Sequence, residues 1–366
     1  MVKKILYYIR SYSHRRVFES LRPIDGIDQI VLGPPEKIID GIPEGYRSFG
    51  IQNIKIHNSI EEAQKIVNRI KPDVFVQADF PNRVNVPKNC RRVFMAHGMI
   101  GNHVKSLFKA GSMQVWKDFD LYCGASKRFE DWIWHITGKK HKVIINAMPQ
   151  LDLLYDPDYY MKTKNRILKH TRLQNPSAII LFCGFCCKDR KDFNAHNQDY
   201  FDALIELDRI AKKHNWLIFV KPRQTFKKVM KFISMTGWAK KYKTPYTQIN
   251  SSKNLHFIPS DANIYRYFFA DMIIANGCST IEIESCVAKK PLIMVRTKSG
   301  PNYDPFETVM NGAAKGIKNI NNLEQIIVNL LSNNDLSDNQ DRLINKIGLL
   351  ADGLAYKRAQ DGIIAL

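Results

Sequence analysis

Hydrophobic and polar positions along the chain fall into two alternating patterns. Short, mostly apolar runs at 4–9, 29–32, 74–77, 92–96, 121–124 and 143–146 read as strands covered on both faces. Between them, Ile60, Ala63, Ile66, Val67 and Ile70 recur at the three- and four-residue spacing of an amphipathic helix over 60–70. Pro72 ends that helix, because proline disfavours helical geometry in the residue before it. A further helix is expected over 126–136.

A second set begins after the charged, tyrosine-rich stretch 156–173. It predicts strands at 178–184, 216–220, 255–258, 272–275 and 291–295. Helices are expected at 200–214, 264–269 and 281–287, then at 323–331 and about 341–355. Leu204, Leu207, Ile210 and Ala211 share one face of the first of these. Strands alternating with helices imply parallel sheets with helices on both faces. Two α/β sheets with a break near 150–175 is the simplest account.

Length agrees: 366 residues at roughly 100–200 per domain suggest two domains. With 45% hydrophobic and 25% charged residues, a disordered, fibrous or disulfide-scaffold chain is excluded. No apolar run approaches the roughly 20 residues of a membrane span. The start, Met1–Arg10, has too short an apolar stretch for a signal peptide, so the expected home is the cytoplasm.

Charge changes the picture more. Fifty-five Lys plus Arg against 35 Asp plus Glu give +20 and a pI near 9.6. Such a field favours nucleic acid, an anionic membrane face or phosphorylated substrates. Zinc-finger spacing, an RNA-recognition signature and a basic region leading into heptads are all missing, so nucleic acid is the weakest of the three. The seven cysteines sit mostly in apolar segments. Cys183–Cys186 forms a C-x-x-C without a second ligand pair, and small buried hydrophobes fit it better than a metal site.

In open α/β sheets ligands bind at the carboxyl ends of strands, so strand-ending residues are the informative ones. His97-Gly98 ends the run 92–96: a histidine there suits a general base, and a structural turn cap equally. Gly98 lets the chain turn and a ligand approach. Asn276-Gly277-Cys278-Ser279-Thr280 joins a strand to a helix, with the small residues and hydroxyls of a phosphate cradle. Plain N-capping by Ser279 or Thr280 is the alternative. Glu284, one turn beyond Thr280, suits a ribose or glycerol hydroxyl or simply solvent. Lys221-Pro222-Arg223 puts two cations at a strand end, as a diphosphate requires, though a charged loop reads the same. Arg296 ends the strand 291–295 in the same manner.

Together and in this order, four stretches resemble the CDP-glycerol:poly(glycerophosphate) glycerophosphotransferase family of teichoic acid and capsule polymer enzymes. Phe94-Met95-Ala96-His97-Gly98 is similar to its strand ending in His-Gly, and Phe119–Ser126 to its Tyr-Asp…Pro-Ser element. Asn146-Ala147-Met148-Pro149-Gln150-Leu151-Asp152-Leu153-Leu154 resembles its Gly-Tyr-Pro-Arg-x-Asp-x-Leu, with Gln150 for arginine. Ala270–Thr280 is similar to its Ala-Asp…Thr-Asp-Tyr-Ser-Ser, and Arg223 stands where the family has a second histidine.

The resemblance spans about 90–295 and implies the GT-B fold, an α/β architecture of two Rossmann-like domains facing across a cleft. It implies an acceptor-side domain over 1–155, completed by the C-terminal helix 341–366, and a donor-binding domain over 156–340. His97 would be the general base. Lys221, Arg223, Asn276–Thr280 and Glu284 would hold a nucleotide-activated, CDP-linked donor. Gly98, His103, Asp152 and Arg296 are further candidates for phosphate or acceptor contact. The implied acceptor is lipid-linked or polymeric. The implied place of work is the inner face of the cell membrane, with an anionic leaflet as partner. Neither metal nor cofactor is implied, the nucleotide diphosphate donor being a substrate. A nucleotide-sugar glycosyltransferase, a non-hydrolysing UDP-sugar 2-epimerase and a basic nucleic-acid-binding protein are the other readings.

Overall fold

The computed structural model describes residues 2–10, 12–44, 46, 50–78, 84–99, 109–184, 194–222, 239–259, 261–276, 279–298 and 304–366. Strands follow one another as β1 (Lys3–Tyr8), β2 (Ile27–Gly33), β3 (Lys37–Ile39), β4 (Ile42–Glu44), β5 (Asn53–Ile56), β6 (Val74–Gln77), β7 (Arg91–Met95), β8 (Leu121–Cys123) and β9 (Val143–Ile144). Then come β10 (Ala178–Gly184), β11 (Trp216–Pro222), β12 (Leu255–Phe257), β13 (Met272–Asn276), β14 (Leu292–Val295) and β15 (Lys315–Ile317). The chain divides into two compact units, Met1–Asp156 with Asn345–Leu366, and Pro157–Ile344.

Each unit is built on a parallel sheet, ordered β5-β2-β1-β6-β7-β8-β9 in the first and β12-β11-β10-β13-β14-β15 in the second. This is the α/β, two-sheet architecture expected from the alternation of runs. In each sheet the first strand is internal, and the chain winds outward on one side before crossing to the other. The order therefore reverses between β1 and β6, and again between β10 and β13. Such switch points open a crevice at the carboxyl ends of the strands.

The apolar runs read as continuous because both faces are covered. Ile5, Tyr7 and Ile9 belong to one core cluster, with Val74, Val93, Ala359 and Ile363. Leu6 and Tyr8, pointing the other way, pack with Phe75, Ala63, Ile66 and Val67. The helix Ile60–Ile70 is capped by Ser59, whose side chain accepts from the Glu62 amide. In the second unit Ile180, Phe182, Leu204, Leu207, Ile218 and Ile274 share a core.

Aspartates directly before three strands fix their alignment. Asp73 accepts from the Lys4 amide at 2.8 Å, Asp120 from Arg92 at 2.8 Å, and Asp271 from Ile179 at 2.8 Å. Each ties the first free amide of the neighbouring strand at the amino edge of the sheet, away from the switch point. That accounts for the Asp of two of the resembling motifs without any ligand.

Local patterning missed several elements. The charged stretch 156–173 contains a helix, Pro157–Leu168, anchored by buried Tyr160 and Ile167. The tail expected as a helix near 341–355 is two helices, Ser337–Lys346 and Ala355–Ile364. A hairpin joins β3 to β4 through Asp40-Gly41, both at positive φ (47° and 72°), the mirror-image turn that matches strand twist. Among the described residues no helix is long and apolar enough to cross a membrane. Cys90, Cys123 and Cys286 are buried, while Cys186, Cys187 and Cys278 lie outside the described residues.

Candidate active site

The carboxyl edge of the first sheet places His97 beside the switch point. Ala96, just past β7, donates its amide to Cys123 O at 2.8 Å, and its carbonyl accepts from Gln150 Nε2 at 3.2 Å. The His97 ring then turns its Nδ1 to the carbonyl of Ala78, past the end of β6, at 2.7 Å. A carbonyl oxygen only accepts, so Nδ1 carries the hydrogen and Nε2 is the basic nitrogen of the neutral ring. The His14 ring lies 4.8 Å from that of His97, and Arg16 reaches the His97 carbonyl at 3.5 Å. His14 and Arg16 were not expected. They follow β1, and the strand-end rule that points to His97 applies to that strand as well. Gly98 is half-buried in this turn, and His103 lies outside the described residues.

The third motif does something else. Asp152 accepts from the Ala355 and Tyr356 amides at 3.0 and 2.7 Å, capping the last helix across a long stretch of chain. Burial pushes its carboxyl up, while those two amides pull it back. Asn146, in the left-handed region at φ 54°, receives the Leu350 amide at 2.9 Å and gives its carbonyl to Arg358. Asp152 was a candidate for phosphate or acceptor contact. Its oxygens are engaged by helix amides instead.

In the second unit, Asn276 ends β13 at the switch point and is fully buried; Gly277, Cys278 and Arg223 lie outside the described residues. Ser279 Oγ lies 3.5 Å from the Ile281 amide. Thr280 donates its hydroxyl to Glu284 at 3.0 Å, and Tyr265 donates to the same carboxylate at 2.6 Å. Glu284, read as facing a ligand or solvent, is thus buried on the inner face of its helix. Lys221 extends from β11 and donates to Pro259 O at 2.6 Å, holding the turn after β12.

Arg296 is the largest departure. Its guanidinium is 3% exposed and lies 3.1 Å from Glu282 and 3.2 Å from Asp304, so two carboxylates inside the unit take the charge that was assigned to a phosphate. Glu282 also accepts from Thr308 at 2.8 Å. Burial pushes the Glu282 carboxyl up to about 7; Arg296 and Thr308 oppose this and Asp304 adds to it. Beside it, Asp199 receives the Thr297 hydroxyl at 2.6 Å and the Lys298 amide at 2.7 Å. Among the described residues, no group of three His, Cys, Asp or Glu side chains is arranged to hold a metal.

No protein-family model and no curated protein sequence matches the chain. Solved structures do. The wall teichoic acid polymerase TagF superposes with a TM-score of 0.67 at 12% identity, covering 100% of this chain and 89% of that one. The S. aureus MnaA–UDP structure follows at 0.57 and 15% identity, covering 99% and 96%. The UDP-GlcNAc 2-epimerase from Neisseria meningitidis, bound to UDP-GlcNAc, gives 0.57 at 14% identity, covering 99% and 100%. At such identities the likeness shows the fold: this chain has the two-domain α/β architecture of those enzymes, the GT-B class.

Proposed function

We propose that the protein is a metal-independent transferase that moves a polyol-phosphate or glycosyl group from a nucleotide-activated donor to an acceptor hydroxyl. The observation that carries this reading is the orientation of His97. A histidine beside a switch point, with Nδ1–H held by Ala78 O, presents Nε2 as a base. With a CDP-polyol donor the acceptor oxygen bonds to the distal phosphorus, its proton passes to His97 Nε2, and CMP leaves. With a nucleotide sugar the oxygen bonds to the anomeric carbon and the nucleoside diphosphate leaves.

The donor side is assigned to Lys221, Arg223 and Asn276–Thr280, where cations and backbone amides would meet the phosphate charge. The resemblance of four motifs favours a CDP-linked donor and a teichoic acid or capsule product. TagF as a fold neighbour, studied with CDPG, supports the same side. A lipid-linked or polymeric acceptor would place the enzyme peripherally at the inner face of the membrane. The UDP-GlcNAc 2-epimerase among the fold neighbours favours a second reading, in which a nucleotide sugar is converted with no acceptor at all.

A thermal-shift series of CDP-glycerol, CDP-ribitol, UDP-sugars and free nucleotides tests the donor: at about 100 times its dissociation constant a ligand stabilises by about 2.7 kcal/mol. His97→Ala tests the base. Turnover should fall by about 10²–10⁴-fold with donor affinity within a few-fold of wild type. Normal turnover in a folded variant would remove His97 from the mechanism, and product formed from donor alone would select the epimerase reading.

A further inference from the structure

The amino edge of the first sheet, opposite the edge that carries His97, gathers an uncompensated set of lysines. Lys117 lies in the short helix Gln114–Asp118 before β8, and Lys142 immediately precedes β9. Lys139 and Lys140 follow the helix Lys127–Thr137, whose end returns to this edge. Lys139, Lys140 and Lys142 are exposed and Lys117 half-exposed. Nearby carboxylates are already answered: Asp120 by Arg91, Asp118 by Arg92, and Glu130 and Asp131 by Lys127. Among the described residues, none pairs with Lys117, Lys139, Lys140 or Lys142.

Two further facts show that the set is assembled. The half-buried Trp134 ring carries the Lys127 ammonium 4.4 Å and the Lys140 ammonium 5.3 Å from its centroid, so cation–π attraction holds both charges in place. His141, among them, is held below its ordinary pKa, first by burial and then by repulsion from Lys139 and Lys117.

We infer that this lysine edge around Trp134 is a docking surface for an anionic lipid bilayer. Lysines are point charges that suit a diffuse headgroup field, where an arginine fork would suit one defined phosphate. Trp134 is no platform for a nucleic-acid base, because cations lie against its ring. The inference rests on the proposed work at a membrane-borne acceptor, and it adds the surface that would hold the enzyme there.

The test is sedimentation with vesicles of phosphatidylcholine alone, or with about a third phosphatidylglycerol. Wild type should pellet only with the anionic vesicles, and less as salt rises. Each neutralised lysine should weaken partitioning about fivefold, so K117Q/K139Q/K140Q/K142Q should lose several hundredfold. K139Q/K140Q alone, read if the quartet misfolds, should lose about 25-fold. A control of equal charge on exposed residues of the second unit, K162Q/R166Q/K169Q/K253Q, should stay within a few-fold of wild type. Equal loss in the control, no loss in the lysine variants, or lysine-dependent binding to duplex RNA but not to vesicles overturns the inference. Donor stabilisation measured on the same quartet separates the two readings. If it persists while vesicle binding never appears, docking alone is wrong.

Discussion

Burial of Glu282 makes the stability of the second unit depend on pH in a direction unusual for a carboxylate. Its carboxyl is fully buried and shares the single Arg296 guanidinium with Asp304, so desolvation outweighs attraction and the pKa rises from 4.5 to about 7. Between those values the folded protein holds a proton that the unfolded chain has lost. Stability from this group is therefore full below about pH 4.5, falls as pH rises, and is lost above about pH 7. At about 1.4 kcal/mol per pH unit the window corresponds to about 3 kcal/mol.

Glu282→Gln mimics the protonated form and removes the dependence. The variant should match wild type near pH 4 and exceed it by about 3 kcal/mol near pH 8. That is about 6–12 °C in melting temperature for a unit of this size. Urea unfolding of both proteins, followed by far-ultraviolet circular dichroism across that range, gives the difference, in which titrating groups not coupled to Glu282 cancel. A difference that stays constant from about pH 5 to pH 8 would refute the argument. It would mean that Arg296 and Thr308 keep the carboxylate ionised despite its burial.

Asp152→Ala should uncap the last helix and cost about 1–2 kcal/mol in the urea midpoint of the first unit, with Asp152→Asn losing less. Asp271→Ala should cost about 1–3 kcal/mol by leaving the Ile179 amide without its acceptor, and leave the donor affinity of the folded protein unchanged. Replacing Ser279 and Thr280 by alanine should weaken donor binding by about 1–3 kcal/mol, read by calorimetry; unchanged affinity reduces both to local structure. Since cationic side chains are assigned the phosphate charge, transfer should survive excess EDTA, and loss restored by magnesium would replace that assignment.

The alternation of apolar runs determined the two parallel sheets, because a strand covered on both faces must be apolar at nearly every position. The strand-end rule then led to His97 and Asn276, each beside a point where strand order reverses. These features repeat every two to four residues and so are legible locally. Long-range partners are not. Nothing in the spacing of Pro149-Gln150-Leu151-Asp152 says that Asp152 caps a helix 203 residues later, or that Gln150 holds the carbonyl before His97. A basic residue after a strand looks the same whether it faces a phosphate or, like Arg296, lies between two buried carboxylates. Only the folded packing decides which charges keep water and which are taken out of it, because desolvation depends on every neighbour that the tertiary fold brings close.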